Sequence, residues 1–246
     1  EFVWIGVESA STKGNFEKNR GIDFRHLFSE LQRRGISVLA STIAFLEHHD
    51  KETIWDDLDH AIDLRPEYLQ FMELGPMPGT AIYKDYERSG KLLKELPWEE
   101  NHGQAKIWFE HPNFTREESA VYLKRAFERD YEKNGASFIR MIETTLKGYA
   151  YMRDHDIPRL RVRALKLEKE LRKMRGFLFS AARFSQNEAT DQLLGRVRAE
   201  YRRLLGRPGP MHYLLTVVIF LFALVAAFRI RINRNTLQTA TVKKTY

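Results

Sequence analysis

The chain has 246 residues, and its 43% hydrophobic and 30% charged side chains are enough to fold one or two domains. It contains no cysteine, which excludes disulfides, thiolate metal sites and a cysteine nucleophile within these residues. The net charge of +7 is not accompanied by a nucleic-acid motif, so no nucleic-acid partner is expected. Basic residues are concentrated just before a long apolar run, which is typical of a membrane-surface face.

The first third of the chain alternates apolar runs with amphipathic stretches. Three runs have the length and composition of strands: 2–7, 36–43 and 68–74. Asp23 and Asp50 are predicted to cap the two helices between these strands, and Gly35 and Pro66 to end them. Alternation on this scale predicts parallel strands that are joined by right-handed crossovers.

Three parallel strands cannot close a barrel, and the strand at 2–7 would leave an exposed edge. The chain also opens inside a strand-like run with no initiator methionine. We therefore expect it to be a fragment, and we expect the missing N-terminal half of a barrel to be the partner of that edge.

Residues 81–113 are aromatic-rich and are predicted to be irregular, with a short strand at 105–109. Such a segment would cover the mouth of a barrel; the alternative is a packed connecting loop. From Thr115 onward the pattern is helical, and Thr115 with Glu118 has the spacing of a capping box. Further helices are predicted at 137–154, from Pro158, and at 188–205.

The run from Met211 to Phe228 contains no charged residue. As a helix it would be about 27 Å long, close to the roughly 30 Å hydrocarbon core of a bilayer. We expect a single transmembrane helix followed by a basic tail at 229–246, the alternative being a buried core helix. Basic residues are equally numerous on both sides, so they assign no orientation.

Two strand ends carry the most distinctive residues. Glu73-Leu74-Gly75-Pro76-Met77-Pro78-Gly79-Thr80 follows the third predicted strand, and Trp4-Ile5-Gly6-Val7-Glu8-Ser9 ends the first. The prolines and glycines force a sharp, rigid loop at the carboxyl end of the strand, where a (β/α) barrel carries its chemistry. Together with the strand at 36–43, these segments resemble the second half of a radical SAM barrel, and most closely the cobalamin-binding type.

This resemblance implies an α/β fold class and divides the chain into four parts. A partial (β/α) radical SAM, TIM-like barrel is expected at 1–114 and an all-α extension at 115–206. The transmembrane helix at 211–228 and the basic tail at 229–246 follow. The barrel is expected on the cytoplasmic side of a membrane that the chain crosses once.

The resemblance also implies which residues bind S-adenosylmethionine. The implied cofactor contacts lie at the three strand ends: Glu8, Ser9, Ser41, Thr42, Glu73, Leu74 and Gly75. The implied substrate or mouth loop consists of Pro76, Met77, Pro78 and Gly79. Glycines that this family places beside the adenine are replaced here by Leu39-Ala40-Ser41-Thr42. No catalytic residue is assigned.

The implied function is that of a membrane-attached radical SAM enzyme acting on a lipid or another apolar substrate. Its 4Fe–4S cluster needs cysteine ligands, which would lie upstream, so this fragment alone is expected to be inactive. Cobalamin is a further cofactor that the resemblance allows. The alternative is a non-catalytic, membrane-anchored scaffold with a degenerate barrel.

No metal-binding motif is present, and no metal site is predicted. His48 and His49 are adjacent, so on a helix their side chains would diverge by about 100°. On a loop both could reach one site; the alternative is a solvated loop.

Overall fold

A computed structural model describes residues 1–9, 19–93, 103–185 and 187–232, which form three strands and nine helices. The sheet-forming part contains β1 (Phe2–Glu8), α1 (Phe24–Arg33), β2 (Ser37–Ala44), α2 (Ile54–Asp63), β3 (Tyr68–Glu73) and α3 (Ala81–Arg88). The helical part contains α4 (Arg116–Asn134), α5 (Ser137–Met152), α6 (Pro158–Met174), α7 (Phe177–Phe184), α8 (Glu188–Leu205) and α9 (Pro210–Ile232).

The three strands form a parallel open sheet in the order β1-β2-β3. The parallel arrangement and the chain order are as predicted, but the described residues do not close a barrel. Within them β1 pairs only with β2, so one edge of the sheet is uncovered. Phe2 and Trp4 on this edge strand are 63% and 64% exposed.

One face of the sheet is covered by helices. Val7 and Val38 bury their side chains against Phe28 of α1, and Phe71 packs with Ile54 and Leu58 of α2. The predicted cap of α1 is confirmed, because the Asp23 side chain accepts a hydrogen bond from the His26 amide at 2.9 Å.

The predicted cap of α2 is wrong. Helix α2 begins at Ile54 after Thr53, and the Asp50 carboxylate instead accepts hydrogen bonds from the amides of Glu52 and Thr53. Aspartate side chains readily form such local turns, which compete with helix capping. Asp50 therefore orders the turn before the helix rather than the helix itself.

The region 81–113 is more regular than predicted. Thr80 caps α3 by accepting a hydrogen bond from the Tyr83 amide at 3.3 Å. Ala105–Phe109 forms no strand; Phe109 makes a single antiparallel bridge with Leu92. Helix α7 was also missed, because its eight residues make only about two turns and give too short a stretch to reveal a helical period. The part of the predicted irregular segment at 94–102 lies outside the described residues.

The helical part packs directly on the sheet. Phe127 of α4 contacts Phe71 edge-on, with ring centroids 4.9 Å apart. The capping box of Thr115 and Glu118 is confirmed at the start of α4. Helix α5 packs on α1, α6 and α8, and it shares one buried apolar cluster with α6 and α8. The division at 114/115 stays a prediction.

Helix α9 extends beyond the predicted apolar run at both ends. By length and composition it is long and apolar enough to cross a membrane. An 18-residue stretch of it has a mean hydropathy of 2.5, and no residue of this stretch is buried against the rest of the described chain. It contacts α7, where Phe220 lies between Phe179 and Phe184. Residues 233–246 of the predicted tail lie outside the described residues.

We expect Gly148→Ala to destabilise the fold. A Cβ on Gly148 would overlap the backbone of Gly35, which itself has a φ of +77° and follows α1. Because backbone cannot move aside as a side chain can, we expect the free energy of unfolding to fall by about 1–3 kcal/mol.

The matched control is Gly195→Ala in α8, where a Cβ would have no neighbour within 4 Å. Alanine is the better helix former, so this control should be unchanged or more stable by up to about 1 kcal/mol. Chemical unfolding followed by circular dichroism measures both. Equal stability changes in the two variants would contradict the close approach of α1 and α5.

Candidate functional site

The carboxyl ends of the three strands lie at one edge of the sheet, as they must in a parallel arrangement. Ligands of open α/β sheets bind at this edge. We call the face of the sheet opposite α1 and α2 the site face. It is defined by Trp4, Gly6, Ser41 and Gln70, because their neighbours in each strand point toward the helices.

A bulge at the end of β1 places the Glu8 carboxylate on the site face. Gly6 pairs with Ser41 and Glu8 pairs with Thr42, so β1 has one extra residue at this point. Glu8 adopts a left-handed φ of 64°. Its carboxylate folds back over Gly6, where any Cβ would overlap Oε1 of Glu8. The absence of a side chain at Gly6 therefore makes the position of this carboxylate possible.

Gly6, Ser41 and Gln70 form one row across the three strands. The Ser41 hydroxyl accepts a hydrogen bond from Trp4 Nε1 at 3.0 Å. The side-chain oxygen of Gln70 is buried and has no hydrogen-bond partner among the residues that the structure describes. A buried acceptor without a donor is costly, which suits this oxygen to a ligand that carries an N–H or O–H group.

Thr42 faces the opposite side from Ser41. Its side chain is buried, and its hydroxyl donates a hydrogen bond to the Glu8 carbonyl oxygen. This bond holds the residue with the left-handed φ in place. Of the two predicted contacts in β2, the structure thus brings Ser41 to the site face and gives Thr42 a supporting position.

Ser9 is tied to a buried network beside the strand ends. Its hydroxyl donates to Oδ2 of Asp57, which also lies 3.0 Å from Nε2 of His49. The backbone amide of Leu46 donates to Nδ1 of the same imidazole at 3.1 Å. In its neutral form His49 therefore carries its proton on Nε2, and this N–H group donates a hydrogen bond to Asp57. This network braces the end of β1 against the start of α2.

The alternative of a solvated loop for the histidine pair is wrong for His49, which is 1% exposed. Ligand atoms of His48, His49 and Asp57 lie within 4.8 Å of one another. Both ring nitrogens of His49 are nevertheless occupied by partners within the chain. Coordination of a metal ion by this ring would have to break one of these hydrogen bonds.

Glu73 ends β3 on the helix-covered face, two residues after Phe71. Its carboxyl is buried, and in the described part of the chain neither oxygen has a hydrogen-bond partner. Burial raises the pKa of this carboxyl to about 8, and the charge of nearby Arg116 opposes the shift only in part. Glu73 is therefore largely protonated at neutral pH.

The backbone at the end of β3 is engaged within the chain. The Glu73 amide donates to the Gly103 carbonyl at 2.8 Å, and the Leu74 amide donates to the Ala44 carbonyl at 2.9 Å. Gly75 then leads out of the sheet. The Leu74 amide extends the ladder between β2 and β3, whereas the Glu73 amide is bonded to the loop at Gly103. Of the backbone groups of these two residues, the carbonyls are therefore the ones left for the predicted cofactor contact.

The loop at 76–79 connects β3 to α3. Met77 is half exposed, and its carbonyl accepts a hydrogen bond from the Thr80 hydroxyl at 2.6 Å. Gly79 has a φ of +89°, which explains the glycine at this position. Pro76 is buried and Pro78 exposed. The loop is therefore exposed after Pro76, and its role as a substrate or mouth loop stays a prediction.

Sequence reasoning missed Gln70 and Asp57, although both had a signal. Gln70 is a polar residue within the apolar strand Tyr-Leu-Gln-Phe-Met. Asp57 follows Ile54 by three residues and precedes Leu58, so it lies on the buried stripe of α2. A polar residue on a predicted core face is a candidate for a structural or functional contact.

Comparisons with protein-family models, curated proteins and solved structures gave no match to this chain.

We expect Glu73 to make stability depend on pH. Its pKa is raised in the folded state, so its stabilising contribution is complete below its ordinary pKa of about 4.5 and is lost as pH rises through about 8. The Glu73→Gln variant should lose this dependence and should unfold at a higher temperature than the unmodified protein at pH 8–9. Thermal melts from about pH 4.5 to about pH 9 measure the difference in melting temperature between the two proteins.

Glu117→Gln is the control, because this carboxylate is exposed on the first turn of α4. Its melting profile should follow that of the unmodified chain. Burial also raises the pKa of Glu67, but that residue is present in every variant and cancels in the comparison. Parallel pH profiles for Glu73→Gln and the unmodified chain would contradict a protonated Glu73.

Proposed function

We propose that this chain supplies the S-adenosylmethionine-side and substrate-side strands of a radical SAM enzyme that is attached to a membrane by α9. The position of the Glu8 carboxylate over Gly6 carries the proposal. It places an acceptor on the site face at the carboxyl end of a parallel strand, in the row that continues through Ser41 to Gln70. This is where the resemblance implies the cofactor.

The residues of the site face suit S-adenosylmethionine chemically. Its ammonium group and ribose hydroxyls are donors, and the Glu8 carboxylate and the buried Gln70 oxygen are acceptors. The exposed indole of Trp4 offers a surface on which an adenine can stack. When bound, the cofactor supplies the radical chemistry, whereas these residues bind it, orient it and exclude water.

The chain does not fit the iron–sulfur cluster. It has no cysteine thiolate, so the ligands of a 4Fe–4S cluster would have to come from residues upstream. The uncovered edge of β1 is a suitable place for those residues to pair. No described residue is assigned to cobalamin, whose domain would lie outside this chain.

The substrate proposal rests on the membrane helix. Helix α9 presents mostly apolar side chains as far as Phe228, and basic residues surround its first turn. An enzyme held at a bilayer in this way has access to lipids and other apolar molecules, so we propose a substrate of that class. The loop at 76–79 is the proposed substrate or mouth loop.

A non-catalytic scaffold is the second candidate. The Ser9 hydroxyl is committed to Asp57 rather than directed at the site face, which favours a structural role for this strand end. In that case the sheet would display its helices to a partner and would bind no cofactor. A C-x-x-x-C-x-x-C segment upstream of residue 1 favours the enzyme, and its absence favours the scaffold.

We expect Glu8→Gln, in the full-length and cluster-loaded protein, to bind S-adenosylmethionine roughly ten- to a hundredfold more weakly. The lost charge-assisted hydrogen bond contributes about 1.5–3 kcal/mol. Gly6→Ala should also weaken binding, because it displaces the carboxylate without removing it. Calorimetric titration beside a thermal melt measures both variants.

Glu52→Gln, an exposed carboxylate before α2, is the control for this titration and should bind normally. Normal affinity in Glu8→Gln would refute its proposed role. Reduced affinity together with a large loss of melting temperature would instead make Glu8 a structural residue.

We expect α9 to hold the chain in the membrane. The full chain should remain in the pellet when membranes are washed with alkaline carbonate, whereas a variant that ends at Gly209 should be released. The physical reason is that an exposed apolar helix of this length is stable only in hydrocarbon or against another apolar surface. Release of the full chain would show that α9 does not span the bilayer.

A further inference from the structure

A mostly apolar cavity of about 460 Å³, bordered by two arginines, lies between α7, α8 and the first turns of α9. One part of its lining is basic and contains Arg175 and Arg198. Another part is apolar and contains Phe179, Val217 and Phe220. The cavity thus combines an apolar surface with two basic side chains.

The two arginines are held by neutral groups. Arg175 donates to the Gly206 carbonyl at 2.9 Å and lies 5.4 Å from the ring centre of Tyr201. Arg198 donates to the Leu178 carbonyl at 3.2 Å. Within the described ranges no carboxylate lies within 4.0 Å of either guanidinium, unlike Arg172, which pairs with Glu168. Burial lowers the pKa of Arg175, as expected for a cation without an anion beside it.

A second cavity of about 300 Å³ shares Arg175 and His212 with the first and adds Lys173. The two cavities flank the first turns of α9, so the basic charge lies at the point where this helix leaves the folded part. Such a cluster at the start of a spanning helix lies at the level of lipid phosphates.

The apolar part of the cavity continues onto the exposed surface of α9. Phe220 stacks between Phe179 and Phe184 of α7, and these two phenylalanines are themselves largely exposed. Helix α7 therefore lies along α9 with an uncovered aromatic surface. An apolar chain that follows Val217 and Phe220 would remain in contact with protein and with the bilayer.

We propose that this cavity binds one anionic phospholipid, with its phosphate between Arg175 and Arg198 and an acyl chain along Phe179 and Phe220. The proposal rests on the membrane attachment by α9 proposed above. Guanidinium groups bind phosphate through paired charge-assisted hydrogen bonds. These are stronger than the hydrogen bonds that the two arginines make to the neutral carbonyls of Gly206 and Leu178. A lipid is the occupant because its headgroup and its chain match both parts of the lining.

The test is native mass spectrometry of the full chain released from detergent micelles that contain defined lipids. Phosphatidylglycerol and phosphatidylcholine with identical acyl chains are compared, and inorganic phosphate is added as a competitor. The Arg175→Gln/Arg198→Gln double variant removes the basic part of the cavity. Arg159→Gln/Arg202→Gln is the matched control, since both residues are exposed and line neither cavity.

We expect the unmodified chain and the control to retain phosphatidylglycerol in preference to phosphatidylcholine. Each basic side chain at an anionic lipid surface strengthens binding about fivefold, so the cavity variant should retain it about 30-fold more weakly. Equal retention of the two lipids, or unchanged retention by the cavity variant, would overturn the proposal. Displacement by millimolar inorganic phosphate would also overturn it, because the site would then bind a free anion.

Circular dichroism melts show whether the cavity variant is folded. If it is not, Phe179→Ala is used instead; it leaves both arginines in place and should weaken retention of the lipid by its chain alone. Carbonate washing scores membrane attachment separately. Attachment without lipid preference refutes only the cavity, whereas release of the full chain refutes the anchor.

Discussion

A buried ion pair between Arg140 and Asp130 determines how the helical part meets the sheet. Two guanidinium nitrogens of Arg140 each lie 2.7 Å from a different carboxylate oxygen of Asp130, and the side chains are 2% and 9% exposed. The same guanidinium donates to the Glu67 carbonyl just before β3. Asn134 joins Asp130 to the last turn of α2 through the Ile62 carbonyl. Removing one partner of such a pair costs about 3–5 kcal/mol, because it leaves the other charge buried and alone.

This pair has consequences for the site. It fixes α4 and α5 relative to β3 and α2, and α5 in turn approaches the chain at Gly35 so closely that only glycine fits on either side. The helix-covered face of the sheet is therefore closed, and Glu73 on that face is buried away from water. The strand ends and the site face, where Glu8 and Gln70 lie, are therefore the places left for the proposed cofactor contacts.

The elements that were predicted correctly are those whose ends are marked by capping residues in the sequence. Asp23 with its apolar stripe, the capping box at Thr115 and the helix at 188–205 all match the structure, since each depends on contacts within one turn. Helix α7 could not be predicted in the same way, because it gains its structure from packing against α8 and α9. The order and direction of the strands followed from the alternation of elements, which leaves few ways to connect them.

The candidate site was predictable only in part. That Glu8 and Ser9 lie at a strand end follows from the apolar run before them, and the opposite directions of Ser41 and Thr42 follow from strand periodicity. The direction of the Glu8 carboxylate does not follow, because it depends on a bulge and a left-handed φ that Thr42 stabilises from the next strand. The commitment of Ser9 to Asp57 likewise joins residues that are far apart in sequence.

Few packing contacts connect helix α9 to the part of the chain that contains the sheet. Helix α9 contacts the rest of the described chain mainly along α7, with a smaller contact to α6. Helix α7 is short and has phenylalanines on its exposed side, so by itself it offers α9 only a small apolar contact surface. Gly176 allows the close contact, because a Cβ there would meet Ile219 of α9 at 2.8 Å. In a bilayer, lipid would cover the surfaces that α7 and α9 leave uncovered, and the orientation of the sheet relative to the membrane would depend on this one junction.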